Sequence, residues 1–287
     1  MKLVRYAEAG EFRTRIWPLL IAREAENNLL IGIIGQLAKG ASVESVGGTG
    51  RPGFWTVEAD GRVVAAAAIT PPHRLLLTQM TATAVEEVAS GLRREGLSIP
   101  GVVAPRETAE QFAEQWSRRS GHTFRLGHAM RIYQLKKVIH PGDVPGRMAT
   151  AGMSDFDLLR EWNDGFSTSV RAHVPATPER VRQRIQDGET FLWRTPAPVS
   201  MAHVAGPTPN GIRISAVYTP PEHRCHGYAS ALVASVSQRM LDSGRTFCFL
   251  FTDLANPTSN SIYQRIGYRP VCDFAEYDFV GSGECEA

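Results

Sequence analysis

The sequence predicts an α/β protein of the α+β kind, built as two tandem copies of one arrangement. Stretches with strand and helix character follow one another in the order strand, helix, hairpin, strand, helix, strand, helix, strand, and that order occurs twice. Between the two runs lies Lys136 to Gly152, rich in Pro and Gly and without periodicity. The expected division is therefore residues 1–140, a linker at 141–152, and residues 153–287. The second run also holds an unbroken strand, tight loop and helix, from Ile212 to Met240, on which the functional reading rests.

The first run opens on a short strand, Lys2 to Tyr6. Leu29, Leu30, Ile33, Ile34 and Leu37 then make the apolar stripe of a core helix that Gly40 stops. Phe54 to Ala59 and Arg62 to Thr70 flank Asp60-Gly61, the strongest short hairpin signal in the chain. Arg74 to Met80 reads as a third strand, Thr83 to Glu95 as helix and Val102-Val103 as strand. Glu107 to Arg119 follows as a helix with Ala109, Phe112, Ala113 and Trp116 on one face, and Arg125 to Lys136 as a closing strand.

In the second run Ser154-x-x-Asp157 is expected to cap a helix through Leu158, Leu159 and Trp162. Thr177-Pro178-Glu179 supplies cap, first-turn proline and acid for the next helix. Thr190 to Arg194, Val199 to Ala205 and Ile212 to Thr219 read as consecutive antiparallel strands. Pro220-Pro221 ends the last of them, since proline cannot donate to a ladder. Ala229, Leu232, Val233, Val236 and Met240 then recur at helical spacing, and Phe247 to Thr252 is a buried strand.

Composition narrows the function. A hydrophobic share of 43% and a charged share of 21% belong to a globular chain. With 31 basic and 29 acidic residues the net charge is +2, no footprint for nucleic acid. The most apolar run, Leu29 to Leu37, is too short to span a bilayer, and the charged N-terminus is not a signal peptide, so no membrane partner and a cytoplasmic location are expected. Cys225, Cys248, Cys272 and Cys285 form no Cys-x-x-Cys pair and read as reduced thiols. Eight histidines include no His-x-x-x-His, and no metal is expected.

The chemistry sits in the loop before the second-run helix. Arg224, Gly227 and Ala229 form Arg-x-x-Gly-x-Ala, where small residues let first-turn N–H groups approach an anion such as pyrophosphate, with Arg224 adding charge. Downstream stands Asn256, with Tyr263 seven residues on, then Gly267 and Tyr268. These two stretches, in this order, resemble motifs A and B of the GNAT superfamily of acyl-CoA-dependent N-acyltransferases, over roughly Met148 to Phe279. The pyrophosphate loop of that family is Gln/Arg-x-x-Gly-x-Gly/Ala, and Ser259 stands where the family usually has Ala.

The resemblance implies two GNAT-like domains, each a mixed, mostly antiparallel twisted sheet flanked by helices. It implies acetyl-CoA as acyl donor and an amine as acceptor, reacting by direct attack in a ternary complex. The coenzyme's pyrophosphate would lie on backbone N–H groups from Arg224 through Cys225, His226, Gly227 and Tyr228 to Ala229. Pantetheine and thioester would run along Val217, Tyr218 and Thr219, with Asn256 bonding the pantetheine arm beside Ser259. Tyr263 falls at the general-acid position, although an aromatic there also packs under a sheet with Ile262 and Ile266. The helix pair with Phe166, Arg171 and His173 in its connection would overlie the acceptor. Cys225 has no role in direct transfer.

No general base is readable: Glu222, His203, His173 and a water-mediated route stay open. In the first run Thr81-Ala82-Thr83-Ala84 occupies the loop position without the glycine, so a degenerate copy that does not hold coenzyme in the usual way is expected, an unrelated α/β domain being the other reading. An acyl-CoA sensor or scaffold, and an acyltransferase for another acyl-CoA, would keep the same motifs. The first run is open to shaping the acceptor pocket or an interface such as that of a homodimer.

Overall fold

The structure, a computed structural model, describes residues 1–43, 48–170 and 176–280. They divide into two compact units. One comprises Met1–Ile132, Asp253–Ala255 and residues from Val271 onward; the other comprises Tyr133–Thr252 and Asn256–Pro270.

The first unit contains β1 (Lys2–Tyr6), α1 (Ala9–Ala22), α2 (Asn28–Leu37), β2 (Gly53–Ala59), β3 (Arg62–Ile69), β4 (Leu75–Leu77), α3 (Ala82–Arg94), β5 (Gly101–Pro105), α4 (Arg106–Ser120) and most of β6 (Thr123–Leu135). Asp60 and Gly61 both take positive φ, 50° and 74°, the geometry of a type I′ hairpin that Asp-Gly favours. Strands β1 to β4 pair antiparallel in sequence, and β4 runs parallel to β5. Trp55, Leu77, Val85, Val102 and Phe112 join one core beneath α3 and α4.

The second unit contains β7 (Arg147–Thr150), α5 (Phe156–Ser169), α6 (Pro178–Gln186), β8 (Thr190–Arg194), β9 (Pro198–Ala205), β10 (Gly211–Tyr218), α7 (Tyr228–Asp242), β11 (Phe247–Asp253) and α8 (Pro257–Arg265). Strands β7 to β10 are antiparallel neighbours, and β10 runs parallel to β11. One core lies against α7 around Leu232, Val236, Ile214 and Leu250; a second lies against α5 and α6 around Leu159, Trp162 and Met201. Each unit is thus a mixed, mostly antiparallel sheet flanked by helices.

Several local expectations change. The second half of the expected linker is a strand, because Arg147–Thr150 pairs with β8 from Arg194 to Phe191. Asp155 replaces Ser154 at the start of α5: its Oδ2 accepts the Gly152 N–H at 2.9 Å and its Oδ1 the Arg194 Nη2 at 2.6 Å. Thr177 does cap α6, its Oγ1 accepting the Arg180 N–H. The final strand, β12 (Arg269–Val280), lays Phe274–Asp278 antiparallel on Pro105–Gly101 of β5. From Val271 that strand therefore belongs to the first unit, and Arg74 bridges to it at Glu276 and Asp278. Arg171 and His173 lie outside the described residues.

Candidate active site

Strand β10 carries an irregularity that decides where its end points. Ser215 pairs with His203 and Tyr218 with Met201, so three steps on β10 oppose two on β9. The extra residue is a bulge, with Ala216 at φ 46°. Past it, Val217 packs toward the α7 core, while the Tyr218 ring turns onto α5, 6.4 Å from the Trp162 ring and against Gly165. On its other side β10 pairs with β11 only at Gly211–Arg213. Beyond that no β10–β11 pairing continues along Ser215–Tyr218.

The loop after β10 is held by a set of local hydrogen bonds. Ser200 Oγ bonds the Tyr218 carbonyl and the Thr219 hydroxyl, fixing the strand end. A 3₁₀ turn at Pro221–His223 follows, with Glu222 exposed on it. Arg224 Nε donates to the Thr219 carbonyl at 3.0 Å, which folds its head back over the loop. His226 Nδ1 donates to the Arg224 carbonyl at 2.6 Å, and the His226 ring stacks on Tyr228 at 5.4 Å. Cys225 and Gly227 take φ 64° and 80°, a left-handed pair that turns successive N–H groups to one side.

Gly227 is the N-cap of α7, and no side chain caps the helix. The N–H groups of Tyr228, Ala229 and Ser230 therefore lack an intrahelical acceptor and add to the positive end of the dipole. A Cβ at Gly227 would sit 3.2 Å from Val144 Cγ2, a tight contact, and its φ of 80° is what selects glycine.

Asn256, an exposed residue, caps α8, its Oδ1 accepting the Ser259 N–H at 3.0 Å. Within α8, Tyr263 is only 9% exposed and meets Tyr268 edge-on at 6.0 Å. Its hydroxyl has no hydrogen-bond partner among the described residues, and burial pushes its phenol up to about 12. Tyr268 is fully buried with its hydroxyl on Ser237 Oγ at 2.8 Å, a structural tyrosine.

His203, one of the candidate bases, faces the other way. Thr190 Oγ1 lies 2.9 Å from Nδ1 and Asn163 Oδ1 lies 3.2 Å from Nε2. Because the amide oxygen only accepts, Nε2 carries the proton and Nδ1 accepts from the threonine. Burial holds the imidazole down to about 3, so it stays neutral and structural. Among the described residues no group of three His, Cys, Asp or Glu forms a metal cage, and no helix is long and apolar enough to cross a membrane.

Residues 201–277 match the family model described as FR47-like protein. No curated protein sequence matches the chain. Solved structures do. A GCN5-related N-acetyltransferase from Sphaerobacter thermophilus is 17% identical with a TM-score of 0.60, over 96% of this chain and 94% of that one. A GNAT-family acetyltransferase from Colwellia psychrerythraea is 13% identical, TM-score 0.57, over 98% and 100%. A tandem GNAT protein from the clavulanic acid biosynthesis pathway is 11% identical, TM-score 0.51, over 99% and 100%. The fold is the GNAT fold, in tandem. In GNAT terms the bulged β10, the end of its pairing with β11 and the bare start of α7 fall together in the second copy. The bulge escaped sequence reading, because a left-handed Ala216 leaves no mark in the residue pattern.

Proposed function

We propose that the chain is an N-acetyltransferase that moves the acetyl group of acetyl-CoA to a primary amine. The observation that carries this reading is the β10–α7 junction, with two left-handed residues and an uncapped helix start in the second copy. Backbone N–H groups from Arg224 to Ala229 bind the pyrophosphate, and the Arg224 guanidinium adds charge at its rim. The pantetheine lies where β10 and β11 no longer pair, along Val217, Tyr218 and Thr219, and Asn256 Nδ2 holds it beside Ser259. Only the backbone of Tyr218 serves there, since its ring is committed to α5.

The neutral amine attacks the thioester carbonyl, whose π electrons move to oxygen; the tetrahedral oxyanion collapses and the C–S bond breaks. Tyr263 gives its proton to the departing thiolate. A phenol near 12 is fully protonated at neutral pH, so it serves as acid and not as base. His203 is excluded as base by its burial and its two partners, and the amine's surplus proton leaves through water.

The test is a calorimetric titration of acetyl-CoA into the full chain and into Gly227→Glu, followed by thiol release with a panel of primary amines. One site per chain, lost in the variant, with amine-dependent thiol release supports the reading. Binding without transfer makes the protein an acyl-CoA sensor, and no binding of any acyl-CoA ends the assignment.

A further inference from the structure

The first unit contains a cavity of about 290 Å³ between α2 and its sheet, open at one end. It exists because β3 reads Ala65 to Ala68. Ala68 lines it, and where Leu or Val would fill the layer, Ala68 stands opposite Leu76 and leaves a hollow. Leu29 and Ile33 of α2 form the roof, and Ala68, Leu76 and Val103 the floor. The volume equals about ten water molecules at ~30 Å³ each, at the lower end of small-molecule sites.

The polar groups gather at one side, as in a site that orients an apolar ligand. Thr70 is 5% exposed and its hydroxyl has no partner among the described residues. Glu276 Oε2 lies 3.1 Å from Arg74 Nη1. Arg74 is no anion receptor. Its Nε and Nη2 are both on Asp278 Oδ1, at 2.8 and 2.6 Å, so two carboxylates surround one guanidinium. Arg125 approaches Asp278 only at 3.8 Å with an exposed side chain, outside the cavity and screened by solvent. His73 stands exposed at the rim. The polar side therefore sets a carboxylate and a hydroxyl, with the Arg74 guanidinium shared between Glu276 and Asp278, against an apolar hollow.

We propose that the first unit binds a small hydrocarbon-bearing primary amine here, its hydrocarbon in the hollow and its ammonium on Glu276 and Thr70. This site is separate from the acyltransferase reading and does not depend on it. The first copy, having lost the coenzyme loop, keeps a pocket of its own.

Benzylamine is the probe, titrated calorimetrically into the full chain and into Gly227→Glu, with phenylacetate as the anionic isostere. One site per chain in both proteins is expected, with phenylacetate silent. Ala68→Leu, which fills the floor, should remove the site, and Ile33→Trp should do so from the roof; melting curves show which variant remains folded. Glu276→Gln keeps the shape and should weaken binding about tenfold. Binding unchanged in folded Ala68→Leu or Ile33→Trp, phenylacetate preferred over benzylamine, or no benzylamine site at millimolar concentration would each overturn the proposal.

Discussion

In the first unit four residues join β4 to α3, and side chains close the turn: Thr81 Oγ1 accepts the Ala84 N–H and Thr108 Oγ1 the Met80 N–H. In the second unit nine residues join β10 to α7, two of them left-handed, and no side chain caps the helix. Both helices begin with the same orphan donors. One copy gives one of these donors, the Ala84 N–H, a threonine hydroxyl as acceptor, which stabilises the unit. The other gives them no side-chain acceptor. The stability forgone at such a bare start is that of a missing cap, about 1 kcal/mol.

The largest effect that could break this contrast comes from Gly227→Glu. A carboxylate at the pyrophosphate position, on a backbone that favours glycine, should weaken acetyl-CoA binding at least ~100-fold, as like charges in close contact cost several kcal/mol. Retained affinity would mean that the junction is not the clamp.

Tyr263→Phe comes next, and sharpens the contrast between groups kept open and groups used for structure. With no partner lost, melting should hardly move, while kcat should fall about 100-fold at unchanged acetyl-CoA affinity. Unchanged kcat would return Tyr263 to the core beside Tyr268.

His203 tests the structural side. Its folded value, about 3, lies below the ordinary 6.5, so below pH 6.5 the unfolded chain takes up a proton that the folded chain refuses. Stability from this group is complete above pH 6.5 and is lost as pH falls toward 3, by about 2 kcal/mol at pH 5. Urea unfolding at pH 7 and pH 5 should show that difference in the wild type and not in His203→Gln; equal slopes would contradict the buried neutral imidazole.

Smallest is Thr81→Ala, expected to cost about 1 kcal/mol of stability and to leave acetyl-CoA stoichiometry at one per chain. A second acetyl-CoA site in this variant would show that the cap alone had closed the first copy.

Much of this was legible in the residues, because hairpin and helix signals are local. Asp60-Gly61 needs positive φ and has it, and of the stripe from Leu29 to Leu37 the residues Leu30, Ile34 and Leu37 are buried, while Leu29 and Ile33 are half-buried over the cavity. Thr177 caps the helix it precedes. The turn before α7 too was legible, since Gly227 marks a left-handed position at the helix start and takes φ 80°. What stayed hidden depends on partners distant in sequence. A four-residue strand such as β7 has too short a pattern to read without β8 beside it. The Ala216 bulge redirects Tyr218 with no residue-type signal, and nothing in His203 alone tells that Asn163 and Thr190 wait on either side.

The pairing of β12 with β5 bears on how the protein is made. Arg74 finds its partner Asp278 only 204 residues later, so the unit begun first is closed last. While a ribosome is still working through the second copy, the β5 edge of the first stands without its neighbour, an unpaired strand for which a chaperone or a hasty intermolecular partner competes. A cut at Pro270 would leave the loop from Arg224 to Ala229 in place and undo the opposite end of the sequence.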